Sequence, residues 1–132
     1  MGASGVAVAA SSWYAAMYTI LVADDDPSLL TVVAQILAEP GHIVLTASDG
    51  FEAVRILGDR HIDLMIADVR MPGLDGLQLG RQAKLMRPNL HIIFISGRPF
   101  GHQAIPEFGT LLEKPIRAAA LLAAVRTAMT GR

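Results

Sequence analysis

The sequence predicts an open, doubly wound α/β fold with five parallel strands. Short apolar runs alternate with amphipathic stretches, the runs are mostly apolar at consecutive positions, and Pro, Gly and Asp punctuate the joints. A strand apolar on both faces has to be covered on both, as in a parallel sheet whose crossovers carry helices. At 132 residues the chain suffices for one such domain with its own core.

The strands are read at residues 19–23, 43–47, 63–67, 91–96 and 110–113. The first helix, 28–38, stops at Pro40-Gly41. The second, from about 50 to 57, follows Asp49 with Glu52 three residues on, a capping-box spacing. The third, 77–86, ends before Pro88, and the last is the Ala- and Leu-rich 117–129. Between the fourth and fifth strands "GRPFGHQAIPEFG", 97–109, holds three glycines and two prolines and no helical period. A loop with at most one helical turn is expected there.

Composition removes several function classes. The net charge is −1 and the eleven Lys and Arg residues are scattered, so no basic field attracts nucleic acid. With no cysteine there are no disulfides, thiolate metal sites or cysteine nucleophiles, which fits a reducing cytoplasm. Residues 1–23 are uncharged and long enough to span a bilayer, but they are rich in Gly, Ala, Ser and Thr and lack flanking basic residues. They also lack the basic start of a signal peptide. Residues 1–18 are therefore expected to be a flexible N-terminal extension or a cloning remnant, with Met17 a natural start, the domain running from 19 to 129 and a tail from 130 to 132. No membrane association is expected.

In a doubly wound sheet, function gathers at the carboxyl ends of the strands. Those ends carry Asp24, Asp25 and Asp26 after the first strand, Asp68 after the third, Ser96 after the fourth and Lys114 after the fifth. Carboxylates crowded on one rim repel each other unless a cation holds them, and a hard divalent ion with oxygen ligands, Mg²⁺ above all, suits them. Lys114 offers a point charge and Ser96 a hydroxyl to phosphate oxygens, and Asp68 between metal and donors can act as a nucleophile. Asp26 is more simply a helix-start residue. His42, His61, His91 and His102 share no metal-ligand spacing and are read as structural or surface groups.

"ILVADDD" at 20–26, "MIADVRMPGLDG" at 65–76, "IIFISG" at 92–97 and "LLEKP" at 111–115 together resemble the receiver domain of two-component response regulators, of the single-domain, CheY-like kind. The resemblance covers 19–129 and implies a flavodoxin/CheY-like sheet. It makes Asp68 the phosphoacceptor, Asp24 and Asp25 the acidic metal pair, and the Arg70 backbone carbonyl a further Mg²⁺ ligand. It makes Ser96 with Gly97 the switch segment, Lys114 the phosphate-binding lysine, and the bond before Pro115 cis. Arg70 and Arg98, each two residues past a site residue, are candidates for shielding the acyl phosphate from water. The implied partners are a histidine kinase or histidine phosphotransfer protein upstream and an unknown protein target downstream, reached by docking.

Two departures bear on output. Leu111 stands where the family usually has Tyr or Phe, which puts an aromatic rotamer switch in doubt. The interval from Ser96 to Lys114 is short, so the family's fourth helix is expected to be reduced or missing. No output domain is expected after Met129, although an excised receiver from a larger protein fits as well. The competing function is a small phosphohydrolase of the haloacid dehalogenase type, since "DDDPS" fits its Asp-x-Asp-x-Ser/Thr motif with Asp24 as nucleophile. That reading lacks a later acidic metal pair and leaves Asp68 without a role. A receiver that signals without phosphorylation is the third possibility.

Overall fold

A computed structural model describes residues 17–97 and 106–131. Five strands form one parallel sheet in the order β2-β1-β3-β4-β5: β1 (Thr19–Ala23), β2 (Ile43–Ala47), β3 (Leu64–Asp68), β4 (His91–Ser96) and β5 (Gly109–Glu113). The helices are α1 (Pro27–Ala38), α2 (Gly50–Asp59), α3 (Gly76–Met86) and α4 (Ala118–Thr130). The expected α/β fold is what forms, with each boundary within two residues of its expected place. The third strand runs one residue later than expected. Its ladder continues past Asp68, where the Val69 N–H donates to the Ile95 carbonyl, while the Asp63 side chain turns back to accept the Thr19 N–H at 2.8 Å.

The consecutive apolar runs are explained by two cores, one on each face of the sheet. Leu21, Met65, Ala67, Ile92 and Phe94 point toward α2 and α3, whereas Ile20, Val22, Leu64, Ile66, Ile93 and Ile95 point toward α1 and α4. The central strand β3 is buried along its whole length, and the edge strands β2 and β5 are partly exposed. Burial on both faces leaves β3 little freedom to slip, which fixes the height of the residue at its carboxyl end.

Caps start the helices. Asp26 accepts the N–H groups of Ser28 and Leu29, as its expected helix-start role requires, and Pro27 occupies the first turn. At α2 the Asp49 side chain accepts the Glu52 N–H, but the Glu52 carboxylate accepts the Ser48 N–H, one residue beyond the expected reciprocal partner. The reciprocal capping box belongs instead to Asp75 and Gln78 at the start of α3.

Of the interval 97–109, the description includes Gly97 as a bend and a turn closed by the Gly109 N–H on the Pro106 carbonyl. The expected reduction or loss of the family's fourth helix concerns 98–105, and lies outside the described residues together with Arg98 and His102. Residues 1–16 of the expected 1–18 extension lie outside them too. Among the described residues no helix is long and apolar enough to cross a membrane.

Candidate functional site at the carboxyl edge of the sheet

The parallel register brings the chosen residues to one edge. Ala23 pairs with Ala67 and Ala47, Asp68 with Ile95, and Ser96 with Glu113, so the next residue out along each strand faces the same rim. Asp24 is 1% exposed and Asp68 and Ser96 are 6% exposed, the three buried polar or charged side chains among the described residues. Asp25 is exposed. Burying two carboxylates beside each other is unfavourable unless something answers their charge.

Part of the answer is Lys114. Its ammonium donates to Asp68 Oδ2 at 3.2 Å and stands 3.7 Å from Asp24 Oδ2. The Lys114–Pro115 peptide is cis, as expected, and the Lys114 N–H donates to the Ser96 carbonyl at 2.8 Å, tying the ends of β4 and β5 together. Gly97 lies beside the Lys114 stem, where a Cβ would stand 3.4 Å from Lys114 Cδ.

The remaining carboxylate oxygens are partly occupied by backbone. Asp68 Oδ1 accepts the Arg70 N–H at 3.2 Å, and Asp24 Oδ1 accepts the Asp26 N–H at 2.9 Å. Asp24 Oδ2 is buried and accepts no hydrogen bond. Burial drives the Asp24 pKa up from 3.8 to about 6, with the neighbouring Asp68 charge adding to it, while the Asp26 N–H and the Lys114 charge pull the other way. A buried acceptor without a donor is a place where a cation fits. Asp24, Asp25 and Asp68 can each offer one oxygen, all within 4.8 Å of one another. This all-oxygen donor set suits a hard divalent ion.

Between Asp68 and α3, residues 69–75 form the loop carrying Arg70, whose side chain is exposed. Val69 and Met71 on either side of it are buried in the α2/α3 core. The base of the loop is closed by Gly76, whose N–H donates to the Val69 carbonyl and whose missing side chain makes room for the Asp68 carbonyl. The sequence reading missed this support, although the Asp-x-x-Gln spacing of "DGLQ" signalled the cap beside it.

The described histidines stay outside this site. His42 accepts the Tyr18 N–H and stacks on its ring, His61 pairs with Asp63 at 2.7 Å, and His91 is exposed. Leu111, where the family aromatic would be, is half-buried against the α2/α3 core and pairs with Phe94 across the strands.

The family profile of the response regulator receiver domain matches residues 20–126. The transcriptional regulatory protein GlrR of Escherichia coli K12 is 32% identical over 118 residues, which are 83% of this chain and 26% of GlrR. The sensor histidine kinase RcsC of Escherichia coli is 32% identical over 84 residues, which are 64% of this chain and 9% of RcsC. The chain thus spans about a quarter of GlrR and less of RcsC. Among solved structures, a receiver domain protein from Clostridium thermocellum superposes with a TM-score of 0.81 at 32% identity, covering 87% of this chain and 96% of that one.

Proposed function

Because the chain belongs to the response regulator receiver family of two-component systems, we propose that it is a phospho-accepting switch with Asp68 as the acceptor. The observation that carries this reading is Asp68 itself, buried at the end of the central strand with Lys114 on one oxygen and the Arg70 N–H on the other.

Receiver domains accept phosphoryl groups from histidine kinases; here the donor is a phosphohistidine of a kinase or phosphotransfer protein. An Asp68 carboxylate oxygen attacks phosphorus, the O–P bond forms, and the N–P bond breaks with its electron pair going to the imidazole, which then takes up a proton. Asp24, Asp25, Asp68 and the Arg70 carbonyl would hold Mg²⁺, which when bound offsets the carboxylate charge and the charge on the phosphoryl oxygens. Lys114 leaves the Asp68 carboxylate for a phosphoryl oxygen, and the Ser96 hydroxyl donates to another. Since Lys114 and Ser96 join β5 to β4, their movement alters the surface around those strands, and output follows from docking of a protein partner there. The exposed Arg70 side chain stands at the rim, where it can slow hydrolysis of the acyl phosphate. The domain, 19–129, acts in the cytoplasm.

Nothing favours the phosphohydrolase with Asp24 as nucleophile. In the fold, Asp24 holds the Asp26 N–H and Asp26 caps α1, so Asp26 is engaged as a cap rather than held beside a leaving group. The test is to incubate the chain with acetyl phosphate and Mg²⁺, trap the acyl phosphate by reduction, and locate it by mass spectrometry. Modification at Asp68 is expected; modification at Asp24 would favour the phosphohydrolase. No modification together with no binding of beryllofluoride would mean a receiver that signals without phosphorylation.

A further inference from the structure

Phe51 is the second residue of α2, and it is 65% exposed. A ring this exposed gains only part of the stabilisation that full burial would give, so what it touches matters more than how much of it is covered. It lies against Gly73 at the tip of the 69–75 loop: a Cβ on Gly73, whose φ is +75°, would stand 3.0 Å from Phe51 Cε2. One residue earlier, buried Gly50 meets the same loop. A Cβ on Gly50 would stand 2.6 Å from the Leu74 carbonyl oxygen and 2.8 Å from Leu74 Cβ. The first turn of α2 is itself held, by the Asp49 side chain on the Glu52 N–H and by Glu52 on the Ser48 N–H.

The loop is therefore pinned from two sides. Val69 and Met71 anchor it in the core, and the first turn of α2 presses on its outer half at Gly73 and Leu74. Arg70 sits between the two inner anchors, with its N–H on Asp68. We propose that Gly50 and Phe51 are positioning residues for the metal site, acting as a buttress that sets where the 69–75 loop presents the Arg70 backbone. The proposal builds on the reading of Asp24, Asp25, Asp68 and the Arg70 carbonyl as Mg²⁺ ligands. Gly50 allows the close approach and Phe51 covers the loop tip; neither touches the ion. The buttress explains why a bulky ring stays at the surface and why its neighbour has no side chain.

The experiment is a Mg²⁺ titration of the full chain followed by backbone ¹H–¹⁵N shifts, with amide hydrogen exchange measured separately without metal. Phe51→Ala removes an exposed ring and keeps the fold, whereas Gly50→Ala pushes on Leu74 directly. Both are expected to weaken Mg²⁺ binding by about tenfold, as loss of groups that support metal ligands does. Without metal, Phe51→Ala is expected to speed exchange of the Arg70, Met71, Gly73 and Leu74 amides selectively, and Phe51→Leu to restore most of both effects. Gly58→Ala, in the same helix but with only Met86 Cε at 4.0 Å, should bind as the parent does. Parent-like Mg²⁺ affinity in Phe51→Ala, or exchange that rises equally throughout the chain, would overturn the buttress even if Gly50→Ala fails to fold. If the parent chain shows no Mg²⁺ shifts at Asp24, Asp25 and Asp68, the metal reading falls, and selective loop exchange in Phe51→Ala then shows a contact that braces the loop with no ion to position; Mg²⁺ shifts in the parent with parent-like exchange in Phe51→Ala mean that the buttress alone fails.

Discussion

Lys114 donates to Asp68 at 3.2 Å across 46 residues of chain, and the same ammonium lies 3.7 Å from Asp24. Burial pulls the lysine pKa down, but the Asp68 hydrogen bond and the charges of Asp24, Asp68 and Asp26 outweigh it, so the net shift is upward. In the metal-free chain Lys114 is thus the counterion of two carboxylates, and any divalent ion entering beside them meets a fixed positive charge.

Opposite effects on two ligands follow from that position. Replacing Lys114 with Met removes a charge that repels Mg²⁺ and competes for Asp68, so metal affinity is expected to rise. The same change removes the donor available to a phosphoryl oxygen, so beryllofluoride affinity measured at saturating Mg²⁺ is expected to fall by about tenfold or more, the range of one charge-assisted hydrogen bond. Calorimetric titration of each ligand checks both signs. A fall in both would show that Lys114 organises the rim rather than opposing the metal.

Asp24 makes the metal-free chain pH-sensitive. Its folded pKa, about 6, lies above the ordinary 3.8, so the folded state holds its proton more tightly than the unfolded one. The stability this group contributes is complete below about 3.8 and is lost as pH rises through about 6. Asp24→Asn removes the buried charge whose Oδ2 accepts no hydrogen bond. It is expected to stabilise the metal-free chain at pH 7 by about 1–3 kcal/mol, with the advantage shrinking between pH 6 and pH 4. Urea unfolding at several pH values, with chelator and then with Mg²⁺, tests this, and saturating Mg²⁺ should reverse the order.

The fold was legible because burial on both faces leaves an unmistakable trace, as in β3, where Leu64, Met65, Ile66 and Ala67 are apolar without interruption. The site was legible for a related reason: Asp24, Asp68 and Ser96 directly follow apolar runs and Lys114 follows one after Glu113, so knowing the strands gave the rim. Contacts made by absent atoms were not legible. Nothing in "SDGFEA" shows that Gly50 will meet the Leu74 carbonyl, because the partner lies 24 residues away and leaves no local period. Glu52 illustrates a smaller limit, since its spacing from Asp49 was right while its carboxylate reaches Ser48. The spacing specifies which residues are near, not which N–H the carboxylate takes.

His42 opposes Asp24 in its pH dependence. Its Nδ1 accepts the Tyr18 N–H at 3.0 Å, which requires the neutral ring, and burial lowers its pKa below the ordinary 6.5. The folded state therefore binds this proton less well than the unfolded one, so the stability is present above pH 6.5 and is lost as pH falls through the folded value. His42→Gln, which keeps an acceptor without titrating, is expected to flatten that acid-side loss. His42→Ala is expected to destabilise the chain at pH 7.5 by about 0.5–1.5 kcal/mol, the worth of one hydrogen bond. Thermal unfolding from pH 5 to pH 8 separates the two variants, and a parallel pH slope in His42→Gln and the parent would rule the histidine out as its source.

Phe94 supplies the last prediction. It is fully buried two residues before Ser96, and it fits because two glycines make its slot: Gly80 on α3, where a Cβ would stand 2.6 Å from Phe94 Cζ, and Gly109 on β5, where a Cβ would meet the other edge of the ring. Phe108 packs against it at 6.5 Å between centroids, and Leu111 is its strand partner. A methyl group on Gly80 must displace the ring, and a ring held by β5 on its far side cannot yield without shifting that strand. Gly80→Ala is thus expected to destabilise the chain by about 1–3 kcal/mol, an overpacking effect that outweighs the gain in helix propensity. Gly58→Ala, whose Cβ would meet only Met86 Cε at 4.0 Å, is expected to be neutral or to stabilise by up to about 1 kcal/mol. Because β5 ends at the Lys114–Ser96 link, Gly80→Ala should also shift the Ser96 and Lys114 amide resonances, whereas Gly58→Ala should leave them in place. Unfolding curves and ¹H–¹⁵N spectra of the two variants decide it; a stabilised Gly80→Ala with unshifted Ser96 would mean that the α3 helix moves away from the ring and leaves β5 undisturbed.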